Sequence, residues 1–171
     1  QEYFEDALEW CEVFAPDLVT KVSINDASQD QSVLGLFEYR DLIEQIEDLF
    51  QPYVVLKRKG SLIIEHTAAL TAIDVNRGAD KRSNYEINCE AAHEIARQLR
   101  VRNLGGIIVV DFLKMKGKKE IDKLKKLLDD VFVIDDPCTV QVHGFTKLGL
   151  VELTRHRRTP ALLERFQSAI S

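Results

Sequence analysis

The chain has 171 residues, of which 45% are hydrophobic and 30% are charged, and its formal net charge is −5. This composition is typical of a globular protein of one domain or slightly more, and it excludes a disordered or uniformly polybasic chain. No apolar run approaches the roughly 20 residues that cross a bilayer, so we expect neither a membrane segment nor a signal peptide.

The three cysteines are sparse and lack CxxC spacing. This pattern predicts reduced thiols in a cytoplasmic protein, without a disulfide framework or a zinc site. The chain lacks an initiator Met and opens in a helix-like pattern. We therefore expect it to be a fragment or a processed form of a longer protein, and its oligomeric state is left open.

The first elements are short. Residues 3–14 predict an amphipathic helix that ends before Pro16. Residues 18–24 place Val and Ile among polar residues, which predicts a strand, and the polar residues 25–31 predict a loop.

A second helix is predicted over residues 38–50, where apolar side chains fall on one face and Pro52 follows. Two short apolar strands are then predicted at residues 53–56 and 62–64. They flank Lys59-Gly60, which is typical of a hairpin turn.

The central part of the chain predicts a strand, a helix and a second strand. An apolar run ends in Asp74, a strong helical pattern covers residues 86–100, and a second apolar run ends in Asp111. Strand–helix–strand units join parallel strands by a right-handed crossover. If the two strands are neighbours, Asp74 and Asp111 emerge side by side at the carboxyl edge of the sheet, where open α/β sheets bind ligands.

The remaining chain predicts a charged helix, an apolar segment, a turn and two strands, at residues 122–128, 131–134, 135–137, 139–143 and 148–154. A basic tail follows from Arg155 and ends in a short helix through Phe166. The predicted fold class is therefore α/β, with a mixed sheet that contains a βαβ crossover.

The aspartate pair predicts a metal site. Two carboxylates at one sheet edge repel each other unless a cation lies between them, and Mg²⁺ favours a few carboxylates with several waters. Asn76 points to the same face as Asp74, so its amide could orient a carboxylate. The alternative interpretation is that each aspartate merely caps the following turn or helix.

Charge is unevenly distributed along the chain. Residues 1–66 hold 14 acidic and 5 basic side chains, whereas residues 67–171 hold 14 acidic and 18 basic ones. The half that carries the aspartate pair therefore suits a polyanionic ligand. Ordinary surface charge is the alternative reading of the candidate phosphate contacts, which are Arg77, Lys81, Arg82, Lys147, Arg155, Arg157 and Arg158.

Two long stretches resemble the ribonuclease E/G family. The first runs from Ala69 through the strand ending in Asp74-Val75-Asn76, and it continues from Asn88 to Phe112 across the helix and the second strand. The second runs from Leu148 to Arg157. The resemblance is dense up to Phe112, weakens over residues 113–138 and returns over residues 139–158.

The resemblance implies two α/β subdomains, an incomplete ribonuclease-H-like one at residues 1–66 and a deoxyribonuclease-I-like catalytic one at residues 67–171. It implies an endonuclease that cleaves single-stranded RNA with Mg²⁺. The family's metal-binding aspartates fall on Asp74 and Asp111, its supporting asparagine falls on Asn76, and its basic residue before the Phe-Gly-Leu stretch falls on Lys147.

The chain departs from the family pattern at several positions. Ala68 stands where the family usually has a glutamate, Leu148 replaces a phenylalanine, and the zinc-link CPxC is absent. These departures keep open a second hypothesis, a catalytically weak RNA-binding or scaffold domain of the same fold. A small phosphotransfer enzyme with an Asp–Mg²⁺ site is the third hypothesis, although the chain shows no nucleotide-binding loop.

Overall fold

The computed structural model describes residues 2–24, 40–133, 136–157 and 159–170. The chain divides into two compact units, residues 1–46 and 47–171. Residues 25–31, predicted to form a loop, lie outside the described part of the chain. Within that part, no helix combines the length and the apolar character that crossing a membrane requires.

The first unit begins with helix α1, Glu2–Phe14, as the periodicity predicts. The predicted strand at residues 18–24 is wrong, because the chain forms a 3-10 helix at Pro16–Lys21. Pro16 presets a helical φ angle at the first turn. The backbone N–H of Leu18 then donates to the carbonyl of Ala15 at 2.9 Å, which closes an i to i+3 turn where an extended strand was expected.

Helix α2 spans Leu42–Asp48 and is shorter than predicted. Residues 38 and 39 lie outside the described residues. Asp41 adopts a φ of 52°, which is incompatible with a right-handed helix, so the helix begins only after it.

The second unit contains a six-stranded sheet in the order β1-β2-β3-β4-β6-β5. Its strands are β1 Tyr53–Val55, β2 Ser61–His66, β3 Leu70–Asn76, β4 Gly106–Asp111, β5 Val140–Phe145 and β6 Val151–Arg155. β3 and β4 are parallel, and the other neighbours are antiparallel. The prediction of a mixed α/β sheet is therefore confirmed.

The sheet continues across the predicted subdomain boundary between residues 66 and 67. β2 pairs with β3 along six register positions, from Ser61 with Asn76 to His66 with Thr71. The turn between β1 and β2 contains Lys59 at a φ of 70°, as expected of a tight hairpin. The assignment of the two halves to ribonuclease-H-like and deoxyribonuclease-I-like subdomains stays a prediction.

Helix α3, Asn84–Val101, connects β3 to β4. It begins two residues earlier than predicted because Ser83 and Glu86 form a reciprocal capping box at its amino end. Helix α4, Lys118–Val133, extends the predicted helix at both ends. Leu124, Leu128 and Phe132 are buried at four-residue spacing, which explains why residues 131–133 continue the helix.

One face of the sheet is covered by helices and the other carries the aspartates. Buried side chains of β3 and β4 pack in one core with buried residues of α3 and α4; the strand residues are Ile73, Val75, Ile108 and Val110. Successive strand residues alternate between faces. Asp74 and Asp111 are exposed and out of phase with the buried set, so they lie on the face opposite the helices. A last helix, α5 Leu162–Ile170, follows β6.

Candidate active site

Asp74 and Asp111 are direct partners in the parallel pairing of β3 with β4. Each stands at or near the carboxyl end of its strand. Neighbouring strands are spaced by about 4.8 Å, and residues in register point to the same face. The sequence prediction that the two aspartates emerge side by side at this edge is therefore confirmed.

Asn76 contacts the first carboxylate directly. Its Nδ2 atom donates a hydrogen bond to Oδ2 of Asp74 at 2.8 Å. The two residues are two positions apart on β3 and share a face, as the strand periodicity predicts. The bond fixes one oxygen of Asp74 and leaves the carboxylate exposed to the cleft.

The carboxylate pair borders a cleft of about 550 Å³. One wall is the segment that follows β4 together with the start of α4, and the other is the hairpin between β5 and β6. The side chains along these walls are largely apolar: Phe112, Leu113, Met115, Ile121, Phe145, Leu148 and Leu150. The cleft therefore combines an anionic edge with apolar sides.

The donor chemistry of the pair fits a hard divalent cation. Among the described residues, no arginine, lysine or histidine forms an ion pair with Asp74 or Asp111. The described part of the chain also contains no group of three or more His, Cys, Asp or Glu side chains that could hold a metal. Mg²⁺ commonly uses one or two carboxylates and keeps several waters, so two carboxylates suffice for it.

Arg77, a predicted phosphate contact, is used inside the protein. Its Nη1 atom donates to the carbonyls of Asp80, at 3.0 Å, and of Arg82, at 2.7 Å. Its Nη2 atom donates to the side-chain oxygen of Asn84. The guanidinium therefore clamps the loop that follows β3.

Arg82, also a predicted phosphate contact, forms ion pairs with Asp80 and Glu90. Its backbone N–H and its Nε atom also donate to the Asp80 carboxylate, at 2.9 and 3.0 Å. These hydrogen bonds lower the pKa of Asp80 from 3.8 to about 2. Glu90 accepts from the backbone N–H of Lys57 at 2.7 Å, so the network joins the loop, helix α3 and the first hairpin.

Arg155 and Arg157 lie at the other end of the sheet. Arg155 is paired in register with Gly106, the first residue of β4, and Asp111 is five residues further along that strand, roughly 16 Å away at the usual rise. Arg155 is buried and ion-paired with Asp136, while Arg157 pairs with Glu164. Neither side chain is part of the cleft, so the structure does not bring these two predicted contacts to the aspartates.

Two lysines flank the cleft instead. Lys147, predicted from the sequence, is exposed in the turn between β5 and β6, next to the cleft residue Leu148. Lys114 lines the cleft three residues after Asp111 and was not predicted from the sequence. Among the described residues, neither lysine has an acidic partner within ion-pair distance. Lys81 is exposed in the loop after β3, and Arg158 lies outside the described residues.

The fold and the paired carboxylates place the chain among α/β proteins with an acidic edge suited to a divalent cation. Comparison with known proteins defines the family: residues 1–158 match the model of the ribonuclease E/G family. The chain belongs to that family.

Several curated relatives are similar along most of this chain. Ribonuclease E of Haemophilus influenzae is 37% identical over 167 residues, which cover 94% of this chain and 17% of the relative. Ribonuclease E of Escherichia coli is 37% identical over 87% of this chain and 14% of its own length. Ribonuclease G of Escherichia coli is 34% identical over 90% of this chain and 32% of its own length. The chain thus spans less than a third of each of these relatives.

Proposed function

We propose that this chain carries the catalytic site of a magnesium-dependent endoribonuclease that hydrolyses phosphodiester bonds in single-stranded RNA. The observation that carries the proposal is the direct register of Asp74 with Asp111 at the open edge of the sheet. Membership of a family whose relatives are named ribonuclease E and ribonuclease G supplies the class of reaction and the RNA substrate. The cytoplasmic location expected from the sparse cysteines is part of the same proposal.

Asp74 and Asp111 would hold the metal, with Asn76 fixing the orientation of Asp74. A divalent cation bound there would supply Lewis-acid stabilisation of the charge that develops on the phosphate during hydrolysis. The hydrogen bond from Asn76 fixes the orientation of one carboxylate oxygen of Asp74. Groups that hydrogen-bond to a metal ligand in this way set the geometry of that ligand.

The cleft suits one strand of RNA. Its volume of about 550 Å³ lies in the range of sites for small ligands, which is the size of one or two nucleotides. Lys114 and Lys147 supply positive charge on opposite walls and would bind the phosphates that flank the reacting one. Leu148, which is 86% exposed, offers an apolar surface against which a base can rest.

The proposal is tested with Asp74→Asn and Asp111→Asn in a cleavage assay on single-stranded RNA with Mg²⁺. Each variant removes a charged ligand at nearly constant volume, so we expect activity to fall by roughly 100-fold or more, since metal stabilisation contributes several kcal/mol. Melting temperature without Mg²⁺ should hold or rise, because repulsion between the carboxylates is relieved. Asp129→Asn, an exposed aspartate on α4, is the matched control.

Two results would contradict the proposal. Undiminished Mg²⁺-dependent cleavage by either variant would remove the aspartate pair from the mechanism. A folded wild-type chain that binds RNA but does not cleave it with Mg²⁺ would support the alternative, an RNA-binding or scaffold domain of the same fold.

A further inference from the structure

Two asparagines at the start of helix α3 hold the segment that follows Asp111. The side chain of Asn88 bonds the backbone of Leu113 twice, accepting from its N–H at 3.0 Å and donating to its carbonyl at 2.8 Å. Asn84 donates from Nδ2 to the carbonyl of Lys114 at 2.6 Å. The segment leaves the sheet after Asp111, so these side chains take the place of a neighbouring strand.

The position of Asn88 shows that these bonds matter to the fold. Asn88 is fully buried and lies on the apolar stripe of α3 that also contains Ala91, Ala92 and Ile95. A buried amide without partners costs about 1–3 kcal/mol. A polar side chain at this position is therefore tolerated because both of its polar atoms bond to Leu113.

Asn84 also joins the loops that follow the two carboxylate strands. Its side-chain oxygen accepts from Arg77, which lies three residues after Asp74. Its side-chain nitrogen donates to Lys114, which lies three residues after Asp111. One amide group thus connects the exit of β3 to the exit of β4.

We propose that Asn84 and Asn88 are positioning residues for the reaction, because they hold Leu113 and Lys114 and so set the place of Asp111 relative to Asp74 and of Lys114 in the cleft. The inference rests on the proposed function. Mg²⁺ requires near-ideal ligand geometry, and a misplacement of about 1 Å can cost about 100-fold in rate. Neither asparagine lines the cleft, so both act through the segment they hold.

Two variants separate this role from general stability. Asn84→Asp keeps the acceptor for Arg77 and loses the donor to Lys114, and a negative charge at a helix amino end is itself favourable. Asn88→Leu removes both bonds to Leu113 and keeps the branching of the side chain at Cγ, although leucine is larger than asparagine. The control is Gln98→Leu, which removes a buried amide on the same helix whose bonds stay local, to Glu94 and Arg102.

The first measurement is amide hydrogen exchange in the absence of metal and RNA. We expect faster exchange of the peptide covering residues 112–115 in Asn84→Asp and in Asn88→Leu, and no change there in Gln98→Leu. The second measurement is Mg²⁺ binding by calorimetry, together with the Mg²⁺ concentration at half-maximal cleavage. We expect the Mg²⁺ dissociation constant and the Mg²⁺ concentration at half-maximal cleavage each to rise about tenfold in the two test variants. Such a rise is usual when a group that supports a metal ligand is lost.

Asn84→Asp makes the test sharp, because its added negative charge alone would tighten Mg²⁺ binding. Unchanged exchange over residues 112–115 in both variants would overturn the inference, whatever the activity. Faster exchange with unchanged Mg²⁺ binding in Asn88→Leu, which adds no charge, would leave the asparagines as structural residues only and would also overturn it. A wild-type chain that binds Mg²⁺ but cleaves no RNA would contradict the proposed function, whereas the exchange and calorimetry results would still decide the inference.

Discussion

Arg155 and Asp136 form a buried, doubly hydrogen-bonded ion pair. Nε of Arg155 donates to Oδ2 of Asp136 at 2.8 Å, and Nη2 donates to Oδ1 at 3.0 Å. The remaining nitrogen, Nη1, donates to the carbonyl of Leu104 at 2.8 Å. The guanidinium therefore joins β6 to the segment before β5 and to the turn that enters β4.

This geometry predicts a structural role for Arg155. We expect Arg155→Met to lower the free energy of unfolding by about 3–5 kcal/mol, because it leaves Asp136 buried without its partner. Arg157→Met should lower the free energy of unfolding by less than about 1 kcal/mol, because Arg157 and Glu164 form a partly exposed ion pair. Urea unfolding of both variants is the measurement. An Arg155→Met variant of unchanged stability but weakened RNA binding would instead support the phosphate contact predicted for this residue from the sequence.

RNA binding should depend on salt through Lys114 and Lys147. Each phosphate neutralised on a single strand contributes about −0.7 to the slope of log K against log salt, so the two lysines together should contribute about −1.4. We expect Lys114→Gln and Lys147→Gln each to reduce the magnitude of the slope by about 0.7. Fluorescence anisotropy in an Asp74→Asn background measures binding without cleavage.

Lys123→Gln, at an exposed position on α4, is the control for loss of one positive charge. The slope of this variant should match that of the parent chain. If all three lysine variants kept the parent slope, neither wall of the cleft would contact phosphate.

Gly78 should be intolerant of a side chain. It lies in the loop after β3 at a φ of +54°, and a Cβ atom there would stand 2.3 Å from the carbonyl oxygen of Lys59. We expect Gly78→Ala to lower the unfolding free energy by at least about 1–3 kcal/mol, as strained backbone does. In contrast, a Cβ at Gly117 would meet nothing within 4 Å. Gly117 immediately precedes α4 and its carbonyl accepts from the N–H of Ile121, a helix-capping position at which Ala is less favourable than Gly, so Gly117→Ala should lower the unfolding free energy by less than about 1 kcal/mol. Equal melting temperatures for the two variants would contradict this packing.

The contribution of Asp80 to stability should be lost in acid. Its hydrogen bonds to Arg82 lower its pKa to about 2, so the folded state favours the ionised form. The contribution is fully present above the unfolded pKa, near 4, and is lost as the pH falls toward 2. We expect Asp80→Asn to be less stable than the wild type at neutral pH and to differ progressively less from it between pH 4 and pH 2. Urea unfolding across that range tests the sign, and a constant difference would rule out linkage to Asp80.

The placement of the two aspartates could be predicted from the sequence, whereas the roles of the basic residues could not. Two apolar runs joined by one helix leave few topologies, and the alternation of a strand assigns the face of each aspartate. By residue type alone, Arg77, Arg82 and Arg155 cannot be distinguished from arginines that bind phosphate. Their acceptors inside the protein include main-chain carbonyls, which no residue pattern identifies, and Asp136, which lies 19 positions from Arg155.

The position of Asn88 in the sequence is a signal from which its structural role could have been predicted. A buried polar residue on the apolar stripe of a helix needs a hydrogen-bond partner. Its position in the sequence pattern therefore predicts that a partner exists, although the pattern does not identify that partner. The partner, Leu113, lies 25 residues away and is met only after the chain has crossed to β4. Lys114 gives no comparable signal, because an exposed lysine near a strand end is ordinary.

By itself, the sequence determined the α/β class, the βαβ unit and the aspartates at its edge, because these follow from local periodicity and from the handedness of crossovers. The tertiary structure decided which charged side chains are available to a ligand. Long-range packing buries Arg155 against Asp136, engages Arg77 and Arg82 in a loop, and leaves Lys114 and Lys147 beside the cleft. Charge is a property of the residue, but its availability depends on which neighbours the fold brings within hydrogen-bonding distance.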